Sequence, residues 1–311
     1  MPAESRIAVV DLGTNSTRLL VADVAGDGSL TELERRSEVT RLGDGVDATG
    51  RLSGEAVDRV LTCLAGYREI ADAANAGRRI AVATSAVRDS SNGEEFQHRV
   101  RSEVGFDIRT ISGDEEARLT FLGATAGRGA GPPTLVVDIG GGSTEYVVGA
   151  AGFAPTFHVS TRLGSVRQTE RHIRSDPPAY EEMAALAAAA REIIAAGVPQ
   201  QVLTETNAGM AVAGTATQLA SVDQRLDGYD RGKVHGYRLL LGKCERILAR
   251  LAAVPLAERR GVPGLDPDRA PTIVVGATIM VESMRLFGLD YLEVSEADIL
   301  HGSAIDAMVG S

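Results

Sequence analysis

Two stretches of the sequence, Val9–Val21 (VVDLGTNSTRLLV) and Val136–Val148 (VVDIGGGSTEYVV), decide the fold. The second begins 127 residues after the first, and both have Val, Val, Asp, Gly, Ser, Thr and a final Val at equivalent positions. Each has an apolar strand that ends in Asp, a tight polar turn and a second strand, which predicts a β-hairpin. Two such hairpins nearly half a chain apart predict a duplicated domain, with the two turns facing each other across a cleft.

Alternating strand and helix patterns follow each hairpin, so the predicted fold class is α/β with a doubly wound mixed sheet in each half. In the first half we predict strands near 7–11, 17–23, 38–42, 79–84 and 107–111, and helices over 53–75 and 94–103 and from Ser112 onward. The second half is predicted to repeat hairpin, third strand and helices. The Gly- and Pro-rich segment 127–133 is the predicted linker.

Composition excludes several classes of protein. The net charge of −10 argues against general attraction to nucleic acid or to anionic membranes. No apolar run approaches the ~20 residues that span a bilayer, and the first residues lack a signal-peptide core. Two cysteines fit a reducing compartment, so we expect a cytoplasmic protein with no nucleic-acid or membrane partner. Only Lys233 and Lys243 are lysine, and composition explains most of the arginines.

Two segments of the first half are predicted to bind phosphate. The turn of the first hairpin offers backbone amides and hydroxyls, and the arginine that follows it supplies a fixed charge. The second segment follows a strand's carboxyl end, where α/β proteins place their ligands. The candidate phosphate-binding residues are Gly13, Thr14, Asn15, Ser16, Arg18, Thr84, Ser85 and Arg88.

The second hairpin combines a glycine-rich turn with two carboxylates. Consecutive glycines allow an anion to approach the backbone, and Asp138 and Glu145 flank the turn as hard oxygen ligands for Mg²⁺ or a similar cation such as Mn²⁺. Glu145 stands where the first hairpin has Arg18, which predicts that one turn neutralises phosphate while the other holds metal. A further strand-to-helix turn at 214–217 is a weaker candidate. The predicted phosphate-binding residues of this half are Gly140, Gly141, Gly142, Ser143, Gly214 and Thr215.

A hydrolase also needs a base that orients or deprotonates water. Glu115 and Glu116 open a helix, and their positions alone do not separate a catalytic role from a favourable interaction with the helix dipole. The five histidines show no metal-ligand spacing. Neither a Gly-x-Ser-x-Gly elbow nor a P-loop lysine motif is present, which disfavours acyl transfer and P-loop chemistry.

Six motifs in the same order resemble those of the exopolyphosphatase/guanosine pentaphosphate phosphohydrolase (Ppx/GppA) family. The resemblance covers nearly the whole chain. The motifs lie at 10–20, 83–89, 111–117, 138–145, 163–167 and 212–217.

This resemblance implies two actin-like (ribonuclease H-like) domains with the active site in the cleft between them. A last helix, about 296–309, would return to the first domain, so the expected domains are 1–126 with 299–311, and 127–298. The family's catalytic base corresponds to Glu116. Its magnesium-associated carboxylates correspond to Asp138 and Glu145, and we place Asp11 with them as a third.

The function that the resemblance implies is hydrolysis of the terminal phosphoanhydride bond of inorganic polyphosphate, with release of orthophosphate. The alternatives are a guanosine pentaphosphate 5′-phosphohydrolase and a non-catalytic module that binds (p)ppGpp or another nucleotide. (p)ppGpp is therefore expected as a substrate or an inhibitor. The sequence resembles the short subgroup common in actinobacteria, without a C-terminal helical HD-type domain, and the family leads us to expect a homodimer.

Overall fold

The computed structural model describes residues 5–129 and 131–309 and divides into two compact units. The first unit comprises 5–129 and 297–309, and the second comprises 131–296. The expected domain bounds lie two to three residues from these divisions, and Asp298 belongs to the first unit rather than to the second. Residue 130 of the expected linker and residues 1–4, 310 and 311 of the expected first domain lie outside the described residues.

A five-stranded mixed sheet with the order β3-β2-β1-β4-β5 forms the centre of the first unit. β2 is antiparallel to β1 and β3, whereas β4 is parallel to β1 and β5 is parallel to β4. The strands are β1 (Ser5–Leu12), β2 (Thr17–Val24), β3 (Leu30–Glu38), β4 (Arg78–Ala83) and β5 (Asp107–Thr110).

Helices cover both faces of this sheet. They are α1 (Val46–Thr49), α2 (Gly54–Ala73), α3 (Ser85–Arg88), α4 (Gly93–Arg99), α5 (Gly113–Thr125) and α14 (Ile299–Val309), and a π-helical turn over Val100–Val104 extends α4. On one face, Val10 and Leu12 pack in a cluster with residues of α2 and α4. On the other face, Ile7, Val9 and Leu20 pack against α14. This second face is therefore closed by residues more than 270 positions further along the chain.

The second unit has a six-stranded sheet with the order β10-β11-β9-β6-β7-β8. Its strands are β6 (Thr134–Ile139), β7 (Thr144–Gly149), β8 (Phe157–Thr161), β9 (Gly209–Val212), β10 (Arg238–Leu240) and β11 (Tyr291–Val294). Its helices are α6 (Ser165–His172), α7 (Tyr180–Gly197), α8 (Gln200–Glu205), α9 (Ala213–Gln224), α10 (Arg231–Val234), α11 (Leu241–Ala252), α12 (Leu256–Arg259) and α13 (Ile273–Leu286).

The two sheets confirm the predicted duplication. Strands β8-β7-β6-β9-β11 repeat the order and directions of β3-β2-β1-β4-β5, and β10 adds one antiparallel edge strand. This is the topology of the ribonuclease H-like fold from which actin-like proteins are built. The registers also agree, because Asp11 pairs with Arg18 across the first hairpin and Asp138 pairs with Glu145 across the second.

The third strand of the first half is the main error of the sequence prediction. It was expected at 38–42, but β3 covers Leu30–Glu38. β3 is an edge strand in which every residue is partly or fully exposed, so charged side chains dominate it and the apolar pattern of a buried strand is missing. Between the strand predicted near 79–84 and the helix predicted over 94–103, the structure has one further helical turn, α3, before α4 begins at Gly93. Within 5–129 and 131–309, no helix is both long and apolar enough to cross a bilayer.

Helices α5 and α14 cross with their backbones in contact. A Cβ added to Gly123 of α5 would lie 1.9 Å from the carbonyl oxygen of Asp298, just before α14. A Cβ added to Gly302 of α14 would lie 1.8 Å from the carbonyl oxygen of Leu119. These two glycines, one on each helix, therefore permit a close approach of the two helix backbones that a side chain at either position would prevent.

Candidate functional site

The turn of the first hairpin, 13–16, is hydrogen-bonded to the segment 41–43, and its own amides point away from that segment. The carbonyl oxygens of Thr14 and Asn15 accept hydrogen bonds from the N–H groups of Gly43 (2.8 Å) and Arg41 (2.9 Å). In a planar trans peptide the next N–H points opposite to the C=O, so the N–H groups of Asn15 and Ser16 are directed to the other side. Ser16 Oγ is buried and has no hydrogen-bond partner among the described residues. An oxyanion would satisfy these donors.

The turn of the second hairpin is held in the same way. Gly140 donates its N–H to the carbonyl of Ser143 (3.0 Å). The carbonyls of Gly140 and Gly141 accept from N–H groups at the start of α6 (2.9 and 2.8 Å), and that of Gly142 accepts from Nε of Arg167 (2.8 Å). The N–H groups of residues 141–143 therefore point away from α6 and form a row of donors that an anion could accept from. Arg167 is buried and was missing from the predicted site.

The segments that support the two turns are themselves a repeat. Thr40–Gly43 and Thr161–Gly164 both read Thr-Arg-Leu-Gly. A Cβ on Gly43 would lie 2.2 Å from Cγ2 of Thr14, and one on Gly164 would lie 2.3 Å from the carbonyl oxygen of Gly141. Glycine is thus needed in both segments for the close approach to the turn. Extending the comparison of the two halves by about twenty-five residues would have revealed this support from the sequence.

Arg18 lies between two carboxylates of the first unit. Its Nε and Nη2 donate to Oδ2 of Asp11 (2.9 and 2.6 Å), and its Nη1 donates to Oδ2 of Asp298. Burial raises the pKa of Asp11, and the nearby Arg18 offsets this only in part. Burial would raise the pKa of Asp298 too, but Arg18, Arg35 and His301 outweigh it and hold that pKa at about 2. Asp298 was not a predicted site residue.

The segment 84–88 follows the carboxyl end of β4 and lies beside the first turn. Ser85 Oγ and Thr14 Oγ1 are 2.9 Å apart, and the hydroxyl of Thr84 donates to the carbonyl of Leu12 (3.4 Å). One short helical turn further on, Arg88 places its guanidinium at the start of α5. The structure thus brings the two predicted phosphate-binding segments of the first half together.

The structure separates the two carboxylates that open α5. The hydroxyl of Ser112 accepts from the N–H of Glu115 (3.1 Å), and the carboxylate of Glu115 pairs with the half-exposed Arg109. Glu116 is buried instead, and its Oε2 accepts from Nη1 of Arg88 at 3.0 Å. The same Nη1 donates to the carbonyl of Ile111 (3.0 Å). Of the two, only Glu116 adjoins the predicted phosphate-binding residues.

Asp138 and Glu145 are both buried and lie directly opposite each other on β6 and β7. Side chains opposite each other in an antiparallel pair share a face, and like charges there are destabilising without compensation. Glu145 also accepts from the hydroxyl of Ser160 (2.7 Å). Two hard carboxylates in this arrangement fit Mg²⁺, which binds through one or two carboxylates plus waters and phosphate oxygens.

The described residues contain no group of three or more His, Cys, Asp or Glu side chains placed to hold a metal ion. Asp11, the third predicted ligand, belongs to the first unit, where its Oδ2 is engaged by Arg18.

The weaker candidate in the second unit, Gly214 and Thr215, follows β9 at the start of α9. Ala213 has φ 62°, a left-handed conformation that is rare for alanine and costs of order 1–2 kcal/mol. The hydroxyl of Thr215 donates to the carbonyl of Ile139 (3.3 Å), much as Thr84 contacts Leu12 in the first unit. A Cβ on Gly214 would lie 2.5 Å from Nη1 of Arg269. Arg269 therefore brings to this turn a guanidinium that the sequence analysis did not include.

Comparison with known proteins gives consistent matches. The family model described as the Ppx/GppA phosphatase family matches residues 20–309. Exopolyphosphatase 2 of Mycobacterium tuberculosis is 37% identical, over 97% of this chain and 98% of that protein. The crystal structure of the Aquifex aeolicus member of the Ppx/GppA family has a TM-score of 0.82 at 30% identity, covering 99% of both chains. The structure of an exopolyphosphatase from Cytophaga hutchinsonii has a TM-score of 0.89 at 27% identity, covering 98% of both.

Proposed function

The chain belongs to the Ppx/GppA phosphatase family, and on this basis we propose that it is an exopolyphosphatase. It would cleave the terminal phosphoanhydride bond of inorganic polyphosphate by attack of water and release orthophosphate. The observation that carries the proposal is the pair of matching turns, whose amides are directed away from the segments that hold them. In the first turn, the buried hydroxyl of Ser16 also has no hydrogen-bond partner within 5–129 and 131–309. Such donors suit a polymer whose repeating unit is a phosphate.

The turns supply the electrostatic part of the reaction. Phosphoryl transfer spreads negative charge over the equatorial oxygens, and the protein contributes mainly positioning and donors aimed at that charge. The amides that follow Thr14 and those at 141–143 are such donors. Arg18 and Arg88 add guanidinium groups in the first unit. Because both turns are held by neighbouring backbone, their donors need little reorganisation as charge develops.

Glu116 is the proposed base. It is buried next to Arg88, so its carboxylate is held by an ion pair within a partly desolvated environment. In this role it would accept a hydrogen bond from the attacking water and take its proton as the oxygen bonds to the terminal phosphorus. The phosphoanhydride oxygen then leaves with the shortened polyphosphate.

Asp138 and Glu145 are the proposed ligands of Mg²⁺. When bound, the ion would neutralise charge on phosphate oxygens. The two carboxylates would hold the ion, and the hydroxyl of Ser160 would orient Glu145. Raising Mg²⁺ should therefore raise the melting temperature of the wild-type protein, as any ligand of the native state does, and Asp138→Asn should weaken that shift. An equal shift of the melting temperature in both proteins would show that Asp138 does not bind the metal.

The base is tested with Glu116→Gln, and Glu115→Gln is the matched control because the two residues are adjacent on one helix. Phosphate release from polyphosphate should fall by about 10²–10⁴-fold for Glu116→Gln, as expected for loss of a general base. Glu115→Gln should match the wild type, since Glu115 pairs with Arg109 at the surface. Full activity of Glu116→Gln would overturn the assignment.

The substrate class is tested with polyphosphates of several lengths beside guanosine pentaphosphate. The proposal expects orthophosphate release from polyphosphate with Mg²⁺. Turnover of guanosine pentaphosphate alone would identify a nucleotide phosphohydrolase. Tight binding of (p)ppGpp without turnover of either substrate would identify a binding module.

Two further expectations belong to the same proposal. We place the protein in the cytoplasm, because Cys63 and Cys244 are buried free thiols of the kind that a reducing compartment preserves. The homodimer expected from the family stays a prediction, which sedimentation of the purified protein measures directly.

A further inference from the structure

Two carboxylates of the first unit, far apart from each other in the sequence, bind two edges of the Arg18 guanidinium. Asp11 takes the Nε–Nη2 edge, and Asp298 takes Nη1. The side chain of Arg18 is 13% exposed, and those of Asp11 and Asp298 are 7% and 2% exposed. A planar guanidinium held on two edges has both its plane and its rotation fixed, which a single carboxylate does not achieve.

Asp298 is itself held firmly. Its Oδ1 accepts from the N–H of Leu300 (3.1 Å) in the first turn of α14, and its Oδ2 lies 3.4 Å from Nη2 of Arg35. The N–H of Asp298 lies 3.4 Å from Nδ1 of His301, and Nε2 of His301 lies 2.8 Å from Glu32 on the edge strand. The carboxylate that contacts Arg18 is therefore fixed by α14 and by β3 together.

The backbone of Asp298 is equally constrained. Its carbonyl oxygen lies at the point where Gly123 allows α5 and α14 to touch. Glu116, the proposed base, lies in the first turn of α5. The crossing thus sets Asp298, and through it Arg18, at a defined position relative to the helix that carries the base.

We propose that Asp298 is a positioning residue that fixes the guanidinium of Arg18 for phosphate recognition. The proposal rests on the proposed polyphosphate hydrolysis and on the part of Arg18 in it. Asp298 makes no contact with substrate in this role. It restricts the rotation of the guanidinium, so that Arg18 has a defined orientation toward the developing charge before the reaction begins.

The test is a double-mutant cycle in the full-length protein. Asp298→Asn removes the negative charge and keeps a side chain that caps helices as well as aspartate does, so α14 is retained. We expect kcat for polyphosphate to fall about ten- to a hundredfold with a smaller change in KM. Asp306→Asn is the matched control, because Asp306 lies on the same helix and pairs only with Arg118 and Arg109 among its described contacts. Its activity should stay within about twofold of the wild type.

The decisive measurement is Asp298→Asn in an Arg18→Ala background. If Asp298 acts through Arg18, the second substitution costs less than about twofold there, because coupled residues are not additive. A purely structural role for Asp298 would give the same loss in both backgrounds and would overturn the proposal. Wild-type kcat in the Asp298→Asn single variant would overturn it as well.

The outcomes also separate this proposal from the proposed function. No polyphosphate hydrolysis by the wild type would refute the proposed function, whereas wild-type activity of Arg18→Ala would refute the part assigned to Arg18 in it. A slow Arg18→Ala beside a fully active Asp298→Asn would refute the positioning role alone. If Asp298→Asn does not fold, as judged by circular dichroism, Asp298→Ser replaces it in the cycle, since serine also caps helices.

Discussion

Gly123→Ala tests the close crossing of α5 and α14. The added Cβ would lie 1.9 Å from the carbonyl oxygen of Asp298 and 2.7 Å from the N–H nitrogen of Gly302. Carbon and oxygen atoms in close contact are normally about 3.3–3.6 Å apart. Both facing atoms are backbone, so no side chain can turn away. The helices must separate by more than about 1 Å, or the hydrogen bond from Gly302 to Asp298 (3.0 Å) must break.

The expected cost follows from these two effects. Overpacking of a buried contact costs about 1–3 kcal/mol, and loss of a hydrogen bond costs about 1 kcal/mol. We therefore expect Gly123→Ala to lower the free energy of unfolding by about 3 kcal/mol. Gly66 is the matched control, because it lies in α2 with no atom within 4 Å of an added Cβ. Gly66→Ala should raise the free energy of unfolding by about 0.5–1 kcal/mol.

Urea unfolding at 25 °C, followed by far-UV circular dichroism, measures both variants against the wild type. The difference between Gly123→Ala and Gly66→Ala should be about 4 kcal/mol. Equal stabilities of the two variants would show that α5 and α14 do not approach as closely as described. Because the displaced atom is the carbonyl of Asp298, we also expect Gly123→Ala to slow phosphate release under conditions in which it remains folded.

Three further predictions concern charge, thiols and capping. Asp298 has a pKa of about 2 against an ordinary 3.8, so its ionised form stabilises the fold above pH ~4. The free energy of unfolding should therefore fall by roughly 2 kcal/mol as the pH falls from 4 to 2. Asp298→Asn should remove this part of the acid dependence, which urea unfolding across that pH range measures. Burial raises the pKa of Cys63 and Cys244 from 9.0 to about 12. At pH 8 a disulfide reagent should therefore react with the thiols of the native protein roughly a thousandfold more slowly than with those of the denatured protein. Rapid labelling of the native protein would contradict their burial. Ser53 caps α2 by accepting from the N–H of Ala56 (3.2 Å), so Ser53→Ala should lower the free energy of unfolding by about 1 kcal/mol without changing phosphate release.

Local signals in the sequence predicted much of the fold. The two hairpins were predicted from apolar strands that flank a shared Asp-x-Gly frame. Both are present, and they pair residue 11 with 18 and residue 138 with 145. The helix predicted over 53–75 is α2, whose first turn Ser53 caps by accepting from the N–H three residues further on. Such features depend on a few neighbouring residues, so one sequence suffices to identify them.

Features that depend on distant residues were missed. β3 carries the charges of an edge strand, and only its pairing with β2 reveals it. The second carboxylate partner of Arg18, Asp298, lies 280 positions away, and no local pattern connects them. Local sequence did not separate Glu115 from Glu116, and only the family resemblance favoured Glu116. In the structure the helix turns Glu115 toward Arg109 and Glu116 toward Arg88. Tertiary packing decided each of these cases.

The discontinuous first unit has a consequence for biosynthesis. Residues 131–296 form a contiguous unit that can complete its own sheet as it leaves the ribosome. The first unit emerges earlier, yet the face of its sheet formed by Ile7, Val9 and Leu20 stays uncovered until α14 has been translated. At roughly 5–20 residues per second, that delay is about ten to thirty seconds. The half that is made first is therefore the half that is completed last.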